Sequence, residues 1–135
     1  MNDRSPKDRF LDSLERCAES EEFIPTFYSR FIGASDAVAV KFENTDFKRQ
    51  NKMLIRSLRL AAGATSGDPN ALRELTERAE THDRHHLDIE PRLYDYWLSA
   101  LIETASEFDG QWNEPIEQAW LSTLSHVIDH MKRHY

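Results

Sequence analysis

The sequence predicts an all-α fold of about seven helices. Apolar residues recur every three or four positions through most of the chain, and helix-capping residues precede these runs. Alternating strand patterns are missing from the sequence. Its 135 residues fit one domain, residues 1–135, which is long enough to enclose a core and one small ligand.

Two helix starts occur in the first 35 residues. Ser5 and Pro6 combine a cap with a first-turn proline, and residues 20–22 form the second start. Gly33 is expected to end the second helix. Cys17 lies on the apolar face of the first helix and is expected to be a small buried hydrophobe. The two apolar faces contain Phe10, Leu11, Leu14 and Ala18, then Phe23, Phe27 and Phe31.

The middle of the chain predicts a short helix and then a longer one. Residues 36–42 can form one or two helical turns, and residues 44–46 supply the next cap. Gly63 is the expected end of the longer helix. The stripe of that helix is formed by Leu54, Leu58 and Ala61, with Met53 and Leu60 beside it.

Three further helix starts follow in the second half. Residues 66–69 end in a cap and a proline, and residues 90–91 open a long helix that residues 109–110 break. Residues 114–115 start the last helix. The apolar faces comprise Leu72, Leu75, Ala79 and His82; Leu93, Trp97, Leu101 and Ala105; and Ile116, Trp120, Val127 and Met131.

Charge and composition exclude several classes of function. The chain carries 24 acidic and 17 basic residues, a net charge of −7, which argues against nucleic acid or an anionic membrane as partner. A single cysteine allows no internal disulfide. The first ten residues lack the apolar segment of a signal peptide, and no apolar run approaches the roughly 20 residues that cross a bilayer. We therefore expect a soluble, cytoplasmic protein.

His82 is the most informative polar residue, because it continues an apolar stripe and should point inward. Such a histidine is either a hydrogen-bonded core residue or a metal ligand, and the stripe alone leaves both open. Gln50 precedes His82 by 32 positions, so two facing helices could place both at a shared pocket. Tyr28 and Phe42 come earlier in the chain. Taken singly, they can be core aromatics, and Gln50 can be a surface residue.

Four segments together resemble a bacterial globin. They read FYSRF, VAVKFENTDFKRQNKML, ERAETHDRHHLDIEPRLYDYW and IEQAWLSTL, and they follow one another in the order found in that family. The resemblance covers roughly residues 5–135. It implies a globin-like fold around a pocket for haem b.

The resemblance also implies roles for single residues. His82 matches the proximal histidine that binds haem iron, and Phe42 matches the phenylalanine that packs against the porphyrin. Tyr28 and Gln50 match a distal pair that donates hydrogen bonds to partly negative bound dioxygen. Leu54 matches the apolar residue above the iron. An open, five-coordinate iron is therefore expected.

The implied function is reversible binding of a diatomic gas. Dioxygen is favoured, with nitric oxide and carbon monoxide as alternatives. Oxygen transport, gas sensing and nitric oxide dioxygenation are all compatible, and the last would need an external reductant. A homodimer or a separate signalling or reductase protein are the candidate partners. The alternative is a haem-free globin-fold interaction domain, in which His82 is a core residue.

The sequence departs from the family pattern near His82. His85 and His86 follow closely, and this segment is about two residues longer than expected. His82 is chosen as the iron ligand because it fits both the spacing from Gln50 and the apolar stripe. His86 lies one helical turn beyond His82 and could face the pocket too, so His85 or His86 as the ligand is the alternative; otherwise both are expected near the haem propionates or solvent. Tyr94 could hold the proximal imidazole, as a tyrosine does in flavohaemoglobins, although their accompanying glutamate has no counterpart near the end of the chain.

Two further groups of residues allow less specific interpretations. His126, His130 and His134 share one helical stripe, where a solvated face is expected rather than a dedicated metal site. The densest basic region is either ordinary surface or a contact for haem propionates, with Lys52 or Arg49 as candidates. It contains Arg30, Lys41, Lys48, Arg49 and Lys52.

Overall fold

The computed structural model describes residues 5–65, 69–71, 73–74, 77 and 92–133. All regular secondary structure in these residues is helical, which confirms the predicted all-α class. Residues 69–71, 73–74 and 77 are helical, in addition to six helices with defined bounds. These six are α1 (Pro6–Ala18), α2 (Phe23–Ala34), α3 (Asp36–Lys41), α4 (Phe47–Thr65), α5 (Leu93–Phe108) and α6 (Glu114–Arg133).

Capping side chains fix several of the helix starts. The Ser5 hydroxyl accepts the Asp8 N–H at 3.1 Å, which confirms the predicted start of α1. The Asp46 carboxylate accepts the Arg49 N–H at 3.3 Å at the start of α4. The cap of α6 is Asn113, whose side-chain oxygen accepts an N–H at 3.0 Å just before the predicted start.

Two helix ends differ from the prediction. Gly63 was expected to end α4, but this helix continues to Thr65. Buried alanines at 62 and 64 flank Gly63, so packing holds the helix together across a residue that costs only about 1 kcal/mol there. Gly33 was expected to end α2, and the helix ends one residue later, at Ala34.

The core forms where α1 packs against α5 and α6. Phe10 of α1 meets Trp120 of α6 edge-on, with ring centroids 4.8 Å apart. Cys17 is fully buried, as predicted, and its thiol lies 3.6 Å from the Ala105 carbonyl oxygen. Phe23 and Phe108 join α2 to α5 by a similar edge-on contact at 5.7 Å.

A buried polar cluster connects α1 to the turn between α5 and α6. The Asp109 carboxylate accepts hydrogen bonds from the Ser13 hydroxyl at 2.6 Å and from Arg16 at 2.6 and 2.9 Å. The Gln111 N–H donates to the same carboxylate, and the Trp120 indole donates to the Ser13 hydroxyl oxygen. Burial by itself raises the pKa of Asp109, but these hydrogen bonds outweigh it and lower the pKa.

None of the helices in the described part of the chain combines the length and the apolar character that crossing a membrane requires.

Candidate functional site

A cavity of about 490 Å³ lies among α2, α3, α4, α5 and α6. Its walls are mainly apolar, and a small number of polar side chains reach it. This size and composition are typical of pockets that hold a small organic ligand or a cofactor. The polar side chains are those of Tyr28, Lys41, Thr45, Gln50, Ser57 and Tyr94.

The structure brings four predicted site residues together in this cavity. Tyr28 reaches it from α2, and Phe42 directly follows α3. Gln50 and Leu54 lie one turn apart on α4, so both face the same space. Tyr28 and Leu54 are 26 positions apart in the sequence, and local periodicity alone does not bring them together.

The predicted iron ligand, His82, lies outside the described residues. The same holds for the neighbouring His85 and His86, so the choice among the three stays a sequence prediction.

Tyr28 is enclosed by aromatic rings. Its side chain is 4% exposed. The ring centroids of Phe27, Phe42 and Phe47 lie 4.9, 5.6 and 5.5 Å from that of Tyr28. Burial raises the pKa of Tyr28 to about 12, although a hydrogen-bonding interaction with Gln50 opposes the rise. Tyr28 is therefore a protonated phenol, and a hydrogen-bond donor, throughout the neutral pH range.

Phe42 is half-buried and fixed on several sides. It stacks on Phe47, with centroids 6.0 Å apart and planes 18° from parallel. It also meets Phe31 edge-on at 5.7 Å. An aromatic side chain held in this way presents a rigid apolar surface to the cavity.

The basic residues of the predicted cluster occupy different places. Lys41 lines the cavity. Arg30 instead joins α2 to α5: it donates to Glu107 at 2.7 and 2.8 Å and to the Thr104 hydroxyl oxygen at 3.1 Å. The other three, Lys48, Arg49 and Lys52, are exposed on α4 and do not line the cavity.

Sequence reasoning missed part of the cavity wall. Val127 and Met131 have the spacing of the apolar face of α6, which predicts core positions, but both line the cavity. Trp97 of α5 does so as well. An apolar stripe has the same spacing whether it faces neighbouring side chains or a ligand, so periodicity could not distinguish the two. Tyr94, which the resemblance already offered as a residue near the proximal imidazole, also lines the cavity, and burial raises its pKa to about 12.

Two of the three histidines in the α6 stripe lie within the described residues. His126 is exposed, as expected for a solvated face, and His130 is half-buried. His134 lies outside the described residues. No group of three histidine, cysteine or carboxylate side chains in the described part of the chain could hold a metal ion.

Comparison with solved structures identifies the class of protein. A Pseudomonas aeruginosa protein, described as structurally highly homologous to a human hemoglobin, superposes with a TM-score of 0.92. The two chains are 30% identical, and the match covers 97% of this chain and 98% of the other. No family model and no curated protein sequence matches the chain. From this relative's identity and coverage, the chain belongs to the bacterial globin family.

Proposed function

We propose that this globin holds haem b in the cavity and reversibly binds a diatomic gas there, with dioxygen as the favoured ligand. One observation carries the proposal. Tyr28 of α2, Phe42 after α3, and Gln50 and Leu54 of α4 all line a single cavity of about 490 Å³. The globin resemblance assigns a role at the haem or its gas ligand to each of these four residues.

The side chains at the cavity wall and on the nearby face of α4 suit a porphyrin with two propionates. Phe42 and Leu54 supply apolar surface for the ring, and His82 is the proposed iron ligand. The Lys41 side chain at the cavity wall is suited to a carboxylate, as are Arg49 and Lys52 on the exposed face of α4. Bound haem would supply an iron with one open position for a gas.

Tyr28 and Gln50 would set the preference among gases. The Tyr28 hydroxyl keeps its proton because its pKa is about 12, and the Gln50 amide carries two N–H donors. Both side chains act at a mainly apolar cavity, where hydrogen bonds are electrostatically stronger than in water. A gas that gains negative charge on binding is stabilised by such donors. This favours dioxygen over carbon monoxide.

Several physiological uses share this gas-binding step. Oxygen transport and gas sensing require only reversible binding, and sensing would pass through a homodimer or a separate signalling protein. Nitric oxide dioxygenation would need an external reductase to return the iron to its ferrous state.

The decisive experiment is an absorption spectrum of the haem-supplied protein. We expect a Soret band at one haem per chain and a ferrous spectrum that changes reversibly with dioxygen. His82→Ala should abolish or strongly alter the band, whereas the matched variants His85→Ala and His86→Ala should retain it. A folded sample without a Soret band would contradict haem binding and favour the haem-free interaction domain.

A further inference from the structure

The first turn of α4 contacts Tyr28 in two ways. Phe47 meets the Tyr28 ring edge-on, with centroids 5.5 Å apart and planes at 68°. Gln50, three residues later, lines the same cavity as Tyr28, and its side chain opposes the rise in the pKa of Tyr28. The Asp46 cap fixes the backbone of this turn, because its carboxylate accepts the Arg49 N–H and its carbonyl accepts the Gln50 N–H at 3.0 Å. One helical turn therefore places both Phe47 and Gln50 against Tyr28.

Phe47 is the more exposed of the two rings in this edge-on contact. Tyr28 lines the cavity and is 4% exposed, whereas Phe47 does not line it and is 36% exposed. Because the two rings are in contact, the Phe47 ring covers part of the Tyr28 side chain that solvent could otherwise reach. Its stacking on Phe42 at 6.0 Å ties the same side chain to a second wall residue.

We propose that Phe47 is a positioning residue that shields Tyr28 from water and keeps its hydroxyl directed toward the cavity. Phe47 would thereby determine how strongly Tyr28 stabilises a ligand without touching that ligand. The shielding of Tyr28 stands on the chain's own geometry, and only the effect on a bound gas rests on the proposed function.

The physical reason is that Phe47 closes one side of an aromatic enclosure. The other aromatic neighbours are Phe27 and Phe42, whose ring centroids lie 4.9 and 5.6 Å from that of Tyr28. Without the Phe47 ring, water reaches Tyr28, and the hydroxyl gains a solvated alternative to its interaction with Gln50. A phenol that spends part of its time in that alternative donates less to a ligand in the cavity.

The first test uses the haem-free protein and N-acetylimidazole, a reagent that acetylates accessible tyrosine hydroxyls at neutral pH. Peptide mass spectrometry then gives the rate at each tyrosine. In the parent protein Tyr28 should react far more slowly than Tyr96, which is 38% exposed and serves as internal control. Phe47→Ala should speed the Tyr28 reaction about two- to tenfold, the range expected for one lost aromatic contact, and leave Tyr96 unchanged.

Matched variants separate shielding from general loosening. Phe47→Trp should keep Tyr28 protected, because it retains an aromatic ring. Val40→Ala removes another exposed apolar side chain, 60% exposed and away from the cavity wall, and should change nothing. If Phe47→Ala fails to fold by circular dichroism, Phe47→Val takes its place with the same expected direction. An unchanged Tyr28 rate in a folded variant would overturn the proposal.

The second test measures dioxygen dissociation from the haem-loaded protein in a double-mutant cycle. Phe47→Ala should speed dissociation when Tyr28 is present and have little effect in a Tyr28→Phe background, because its action passes through the hydroxyl. Equal acceleration in both backgrounds would show a merely structural role and overturn the positioning assignment. If the protein binds no haem, the proposed function fails, while the acetylation test still decides whether Phe47 shields Tyr28.

Discussion

The buried hydroxyl of Tyr28 is held among aromatic rings at the edge of an apolar cavity. Burial of this phenol favours hydrogen-bond donation in two ways. It removes competing water, and it raises the pKa of Tyr28 to about 12, so that the donor proton is retained. A tyrosine is therefore a stable hydrogen-bond donor at this position across the neutral range.

Tyr28→Phe tests that role with almost no change in shape. It removes the hydroxyl and keeps the ring, so the aromatic contacts should persist. We expect dioxygen to dissociate faster by a factor that corresponds to about 1.5–3 kcal/mol, the usual strength of a hydrogen bond to a charged group. Stopped-flow measurement of the dissociation rate gives the result. The control, Tyr96→Phe, alters an exposed tyrosine, and an equal effect in both variants would contradict the assignment.

Cys17 supports a second prediction for a single residue. Burial raises the pKa of its thiol to about 12, with a smaller contribution from the Asp109 charge. Since only the thiolate is nucleophilic, the native protein should react very slowly with a thiol reagent such as a disulfide dye at pH 8. The reaction should become fast at the denaturant concentration where circular dichroism reports unfolding. Rapid reaction of the folded protein would show that Cys17 is accessible.

Helices were largely predictable from the sequence because their signals are local. The Ser5 cap and its hydroxyl contact span three residues, and the apolar face of α1 repeats with the helical period. The role of Asp109 was not predictable in this way. It looked like part of a helix break, and α5 does end at Phe108, but the carboxylate's partner Ser13 is 96 residues away. Sequence spacing does not indicate which distant helix will supply a partner.

The connection of α1 to the α5–α6 turn should depend on Asp109. Asp109→Asn removes the charge that Arg16 pairs with, and it should lower the free energy of unfolding by about 1–3 kcal/mol at pH 7. Chemical denaturation followed by circular dichroism measures this. The control Asp95→Asn makes the same change in a pair with Lys132, where Asp95 is 75% exposed, and should cost much less.

The same cluster predicts a pH dependence of stability. The folded-state pKa of Asp109 lies below its ordinary value of 3.8, so the unfolded chain binds the proton more readily. The stabilisation of the fold by ionised Asp109 is therefore complete above pH 3.8, and it is lost as the pH falls through the folded-state pKa of Asp109. Denaturation curves between about pH 7 and 2 should show a smaller acid-induced loss in Asp109→Asn than in the parent. If the parent and Asp109→Asn lose stability equally as the pH falls, other groups cause the acid sensitivity.

At the scale of the whole molecule, part of the cavity wall could be predicted from the sequence and part could not. The residues Tyr28, Phe42, Gln50 and Leu54 were located by the resemblance to globins, and the structure places all four at one cavity. The wall formed by α6 was not anticipated, because Val127 and Met131 have the same spacing as core residues. Only the packing of α6 against the other helices shows that these side chains line the cavity.

The cavity also predicts how ligand binding changes the stability of the whole fold. A ligand that fills a cavity of about 490 Å³ gains contacts with the side chains that line it, so its binding should stabilise the folded state. Free haem at 100 times its Kd should add about 2.7 kcal/mol, provided that the unfolded chain does not bind it. For a domain of this size the unfolding midpoint should rise by about 5–15 °C.

Thermal unfolding by circular dichroism, with haem added stepwise, measures that rise. The matched control is Leu54→Trp, which places a larger side chain at the cavity wall and should reduce the response to haem. An equal rise in both proteins would mean that haem binds elsewhere on the surface. A parent midpoint that stays constant, with the protein folded throughout, would contradict haem as the ligand of this cavity. A graded rise in the parent alone would connect the cavity to the stability of the whole helical fold.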